Sequence, residues 1–115
     1  MGYYTQFDLS VFVKSGNNLL HCKDSEKIIK SLREYNEDAS FALHDNGESF
    51  QELKWYDHIR DMQDFSTLYP EHVFVLHGVG EDNEEWQAYF YRGLCQIEVV
   101  QKSFEPFDSD RLQKV

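Results

Sequence analysis

The sequence predicts an α+β domain: a mostly antiparallel sheet with two helices packed on one face, in the order β-α-β-α-β-β-β. Three observations carry this expectation. Apolar and polar residues alternate over 5–13 and again over 86–91, the period of a half-buried strand. Residues 25–35 and 57–69 instead repeat apolar side chains at helical spacing. Helices thus interrupt the strands early and strands adjoin late, the pattern of helices gathered on one side of a sheet.

The first strand sets Thr5, Phe7, Leu9, Val11 and Val13 against Gln6, Asp8, Ser10 and Phe12, and Gly16-Asn17-Asn18 breaks it. Asp24 or Ser25 can cap the helix that follows, where Ile28, Ile29, Leu32 and Tyr35 share a face and Glu26, Lys30 and Glu34 stand four apart on the wet side. Residues 39–43 read as a short second strand, closed by His44-Asp45-Asn46-Gly47, in which Asn-Gly suits positive backbone angles. The next boundary is ambiguous, since Ser49-Phe50-Gln51-Glu52 fits a capping box while Leu53 and Trp55 fit an extended segment running to a cap at Asp57. The Asp57 start is favoured because Ile59, Met62, Phe65 or Ser66, and Tyr69 then form one stripe ended by Pro70.

Residues 72–79 are nearly continuously apolar, which predicts a central strand covered on both faces. Residues 81–84 turn the chain into a strand with Trp86, Ala88 and Phe90 on one side and Gln87, Tyr89 and Tyr91 on the other. Arg92-Gly93 reverses it into a last strand over 94–103, and Phe104 and Phe107 belong to a partly ordered tail over 104–115.

The 115 residues suit a single domain, 1–115, and a hydrophobic fraction of 41% with 16% aromatic residues argues for a packed core. Cys22 and Cys95 lack a paired spacing and are expected to be reduced thiols. The longest apolar runs are far shorter than the roughly 20 residues that span a bilayer, so a cytoplasmic location is expected. Eleven Lys and Arg face 21 Asp and Glu, a formal net charge of −10. Such a field repels phosphate backbones and anionic membranes and attracts basic protein surfaces. Direct nucleic-acid binding is therefore not expected, although acidity also serves plain solubility.

Candidate chemistry is sparse. His58 and Asp61 share a helical face with Asp57 beside them, a metal-ligand spacing that His77, His72 or His44 would have to complete. The structural alternative makes Asp57 a cap, His58 a first-turn residue and Asp61 a partner of Arg60 or Lys54. His77 lies in an apolar strand without a motif-linked nucleophile, and Cys95 lies in an alternating strand where an inert thiol is the default. Gly78-Val79-Gly80 precedes Glu81, Asp82, Glu84 and Glu85, a negative wall unsuited to a phosphate, and the glycines are expected to let the strand end turn. No catalytic residue, bound metal or cofactor is assigned on this basis. Trp55 and Trp86 suit the core, whereas Tyr89 and Tyr91, on the polar side of their strand, join Glu81, Asp82, Glu84 and Glu85 as an acidic, aromatic partner-binding edge.

Taken together, Tyr3-Tyr4-Thr5, Lys54-Trp55-Tyr56-Asp57-His58, Asp61-Met62, Leu76-His77-Gly78-Val79-Gly80-Glu81 and Trp86-Gln87-Ala88-Tyr89-Phe90 resemble a family of short proteins encoded mainly in bacteriophages and mobile elements. The resemblance implies a genomic setting more than a mechanism. Relatives continue the histidine with acidic residues before Asp-Met, whereas Ile59 and Arg60 stand here, which weakens an acidic metal cluster. By class analogy, small acidic phage proteins bind and block host or immune components, inhibitors of CRISPR effectors among them.

The first functional expectation is thus a non-enzymatic, phage-type inhibitor, anti-CRISPR or otherwise anti-defence, that occludes a basic nucleic-acid-binding surface of a host or immune protein. The alternative is a small metal-dependent hydrolase or nucleotide-binding protein using Asp57, His58, Asp61 and His77. A homo-oligomer pairing through its exposed tyrosine edge is a third reading.

Overall fold

A computed structural model describes residues 4–81 and 84–100 of the chain. Five antiparallel strands and three helices follow in the order β1 (Thr5–Ser15), β2 (Asn18–His21), α1 (Ser25–Tyr35), α2 (Glu37–Ala42), α3 (His58–Ser66), β3 (His72–Gly80), β4 (Glu85–Tyr91) and β5 (Leu94–Val100). The strands lie side by side as β2-β1-β3-β4-β5. The α+β class stands, while the detailed order departs from β-α-β-α-β-β-β at two places.

The first departure is β2. Gly16, at φ 60°, and Asn17 form a tight turn that brings Ser15 opposite Asn18, so the break after β1 is a hairpin. All four β2 residues are exposed, so no alternation marks the strand in the sequence. The second departure is residues 39–43, expected to be extended. Residues 39–42 belong to α2, while Leu43 is extended and bridges Ser49, because Asn36 acts twice: its amide donates to Leu32 O at 2.8 Å, ending α1, and its side chain accepts from Ala39 N at 3.0 Å, starting α2. Ala39 and Ala42 then become fully buried, a helical spacing that a short apolar run does not reveal.

Residues 43–53 serve as an edging strip for β1. Thr5 and Leu53 exchange backbone hydrogen bonds at 3.0 and 3.2 Å, and the Leu9 amide donates to Gly47 O at 2.8 Å. Gly47 sits at φ 90°, and a Cβ there would lie 2.0 Å from Leu9 O, so glycine is required for the approach. The extended path through Leu53 ends at Asp57, where α3 begins as expected.

Phe7, Leu9 and Val11 of β1, Phe74 and Leu76 of β3, and Ala88 and Phe90 of β4 occupy one side of the pleat. They form a single core with Ile28, Ile29 and Leu32 of α1, Ala39 and Ala42 of α2, and Met62 and Phe65 of α3. Trp55 is buried there too, and Trp86 packs against its rim. Gly78 answers a packing need and not the turning expected of it: its Cβ would lie 2.3 Å from the Trp86 ring, its cross-strand neighbour. Strand β3 is buried on both faces over residues 73–76, as its continuous apolar run leads one to expect. Val73 and Val75, 6% and 8% exposed, lie on the side of β3 away from the core cluster that the helices join.

Candidate functional site: the open face of the sheet

Strand alternation sends Asp8, Ser10, Phe12 and Lys14 of β1 to the face that, among the described residues, no helix covers. His77, Val75 and Val73 of β3, Glu85, Gln87, Tyr89 and Tyr91 of β4, and Gln96 and Glu98 of β5 accompany them. The registers align these side chains in rows. Asp8, His77, Gln87 and Glu98 form one row, and Ser10, Val75, Tyr89 and Gln96 the next. Acidic and amide groups therefore abut an aromatic strip at cross-strand contact distance.

Hydrogen bonds fix the polar row. His77 Nε2 donates to Glu85 Oε2 at 2.5 Å, and His77 Nδ1 lies 4.0 Å from Asp8 Oδ2. Asp8 Oδ1 in turn accepts from Ser49 N at 3.0 Å, tying the row to the edging strip. Gln87 Nε2 donates to the Tyr89 hydroxyl at 2.7 Å, and Gln96 Nε2 to Glu98 Oε1 at 3.1 Å. Beyond the row lies an open groove of about 500 Å³, bordered by Lys14, Leu19, Val73, Tyr89, Tyr91 and Glu98 among others. Its far end is cationic: Lys14 Nζ stands 5.7 Å from the Tyr91 ring centroid and the Arg92 guanidinium 5.0 Å. The face is thus graded from carboxylates through Tyr89 to a tyrosine already attended by two cations.

Of the residues expected at a partner-binding edge, Glu85, Tyr89 and Tyr91 share this face. Glu81 is exposed at the β3–β4 turn, where its Oε1 accepts from Tyr4 N at 2.9 Å, and exposed Glu84 adjoins it. Asp82 lies outside the described residues. Asp8, Glu98 and Gln96 belong to the same surface and were missed. The alternation of β1 already held the signal for Asp8, but the register that brings it beside His77 and Glu85 spans 69 and 77 positions of chain.

The Asp57, His58, Asp61 and His77 set is not assembled. His77 projects from the open face, whereas His58 stands at the start of α3 on the other side of the sheet. His58 stacks on Trp86 at 4.9 Å between centroids, and Trp86 is paired with Gly78, the neighbour of His77. The His58 Nδ1–H donates to Trp55 O at 2.9 Å, and burial lowers its pKa below the ordinary 6.5 more than that bond and nearby Asp61 and Asp57 raise it. Asp61 accepts from Trp55 Nε1 at 2.8 Å, not from Arg60 or Lys54. Asp57 makes no side-chain cap bond and instead meets Arg60 at 3.1 Å. Partial desolvation, then the charges of Asp61, Glu37 and Asp57, raises the Asp38 carboxyl, which marks a second acidic gathering near the starts of α2 and α3. No group of three or more His, Cys, Asp or Glu among the described residues is arranged to hold a metal ion. Cys22 and Cys95 are both free thiols, and burial raises the Cys95 pKa, which disfavours the nucleophilic thiolate.

Among the described residues no helix is long and apolar enough to cross a membrane. Comparison with family models, curated proteins and solved structures returns no match for this chain.

Proposed function

We propose that this chain is a binding protein whose open sheet face docks on a basic surface of a partner protein. The observation that carries the reading is the juxtaposition, on the sheet face opposite the described helices, of the Asp8, Glu85 and Glu98 carboxylates with the Tyr89 strip. Carboxylates beside a half-buried aromatic ring give an arginine or lysine both a charge partner and a stacking edge, and the −10 net charge accelerates the approach. The resemblance to short phage-encoded proteins extends the proposal. The partner is then a host or immune nucleic-acid-binding protein, and the chain acts as a competitive inhibitor of the anti-defence kind in the bacterial cytosol. The hydrolase alternative has no centre to support it, since its four residues are divided between two sides of the sheet.

The test is capture of a basic protein on the immobilised chain, elution with rising salt, and competition by that partner's DNA or RNA. Retention should weaken with salt and with competitor, because screening and displacement act on the same contacts. Tyr89→Ala and Glu98→Gln should each loosen the complex about tenfold, roughly 1.4 kcal/mol. Retention unchanged by either substitution would count against the proposed face.

A further inference from the structure

We infer that β5 is a self-association edge: a second copy of this chain pairs its own β5 antiparallel across a two-fold axis at Ile97, joining two five-stranded sheets into one of ten strands.

The two flanks of the sheet are finished differently. On the β1 side, a four-residue strand and residues 43–53 occupy the edge. On the other side β5 runs seven residues, and among the described residues nothing pairs with its outer backbone. Natural edges of that length are normally blunted with charged side chains, lysine above all, with proline or with a bulge, and Leu-Cys-Gln-Ile-Glu-Val-Val carries the single charge of Glu98 and neither of the others. Cys95 packs against the core, but three other apolar side chains of the strand are left out of it: Leu94 is 70% exposed, Ile97 52% and Val99 73%. Ile97 and Val99 lie on the helix side, opposite Ala88 and Trp86. Helix α3 meets the hairpin at Gly93, through Gln63 and Ser66, and leaves them uncovered.

The phase of the ladder selects the register. Arg92 and Gly93, at φ 51° and 80°, form a two-residue turn, so Tyr91 and Leu94 are the closing hydrogen-bonded pair. Alternation then points the backbone groups of Leu94, Gln96 and Glu98 at β4 and those of Cys95, Ile97 and Val99 outward. A second β5 must therefore bond through odd-numbered residues. Centring on Glu98 would set two carboxylates face to face, and centring on Gln96 would leave the end of each strand unpaired. Centring on Ile97 uses the whole strand, placing Ile97 against Ile97, Cys95 against Val99 and Gln96 against Glu98. Over 95–99 the residue types of β5 read alike from either end about Ile97, so Cys95 meets Val99, Ile97 meets itself and each Glu98 carboxylate meets a Gln96 amide. This self-complementarity is what an isologous interface requires.

The contact is small, so association in the ~10–100 µM range is expected. It stands apart from the partner reading, and salt separates the two. Two molecules each carrying −10 repel, so self-association tightens as salt rises, whereas capture of a basic partner weakens.

Sedimentation velocity of the full chain between about 5 and 500 µM tests the inference by mass action. Wild type should pass from monomer to dimer. Ile97→Lys sets two ammonium groups together on the axis and should raise the midpoint at least about tenfold. Gln96→Lys places an ammonium opposite Glu98 twice per dimer and should tighten it about threefold or more, while Gln96→Glu loosens it. Circular dichroism verifies that each variant is folded. Monomer at every concentration, a dimer indifferent to Ile97→Lys, or Gln96→Lys loosening it as Gln96→Glu does would each overturn the inference.

Discussion

Single residues decide how tightly the two layers close, and two of them give sharp tests. Gly78 exists for Trp86, so Gly78→Ala should force the indole outward and cost about 1–3 kcal/mol, the usual price of overpacking. Chemical denaturation measures the loss, and a red shift of tryptophan emission should accompany it. His58, stacked on that indole, is held neutral chiefly by burial. Its folded pKa lies below 6.5, so as pH falls the unfolded chain takes up the proton first. The stability that neutral His58 contributes is complete above about pH 6.5 and drains as pH falls through the folded value. Thermal melts should accordingly show the advantage of wild type over His58→Gln shrinking from pH 7 to pH 5. A constant or widening gap would mean that the ring is not buried neutral. His58 was legible in the sequence as a first-turn residue of α3; that it would rest on Trp86, 28 positions away, was not.

At the scale of elements, legibility followed the range of the interaction that decides each one. The alternation of β1, the stripe of α1 and the turn at Arg92-Gly93 are local, and each lies where the sequence places it. Residues 39–43 misled because five apolar or small residues suit either period, and the deciding contact is the Asn36 cap three positions upstream. Asn36→Ala should cost about 1 kcal/mol and lower helical ellipticity, since it removes the acceptor that starts α2. Strand β2 escaped notice for the opposite reason: it buries nothing, and only pairing to β1 defines it. The candidate site divides along the same line. Glu85, Tyr89 and Tyr91 could be placed on one side of one strand by their period. Asp8 and Glu98 join them only through register, which the sequence does not print. Phe65→Ala, at the point where α3 meets β3, should cost about 3–5 kcal/mol by denaturant titration, because Phe74 and Tyr69 lose their ring contact together.

For the whole molecule, the consequence is an asymmetry between two sides of one sheet. Among the described residues, three helices and the aromatic core occupy one side and the other carries carboxylates, amides and tyrosines, in a chain whose overall charge is −10. Charge alone makes any acidic protein attract cations; attraction is focused where carboxylates border the half-buried Tyr89 ring. NMR titration with a deca-arginine peptide tests that focus most directly. The account predicts salt-sensitive amide shifts centred on Asp8, His77, Gln87, Tyr89 and Glu98, weakened by Tyr89→Ala. Shifts spread over the exposed acids of α1 and α2 such as Glu26, Glu34 and Glu37, with the sheet residues silent, would contradict it.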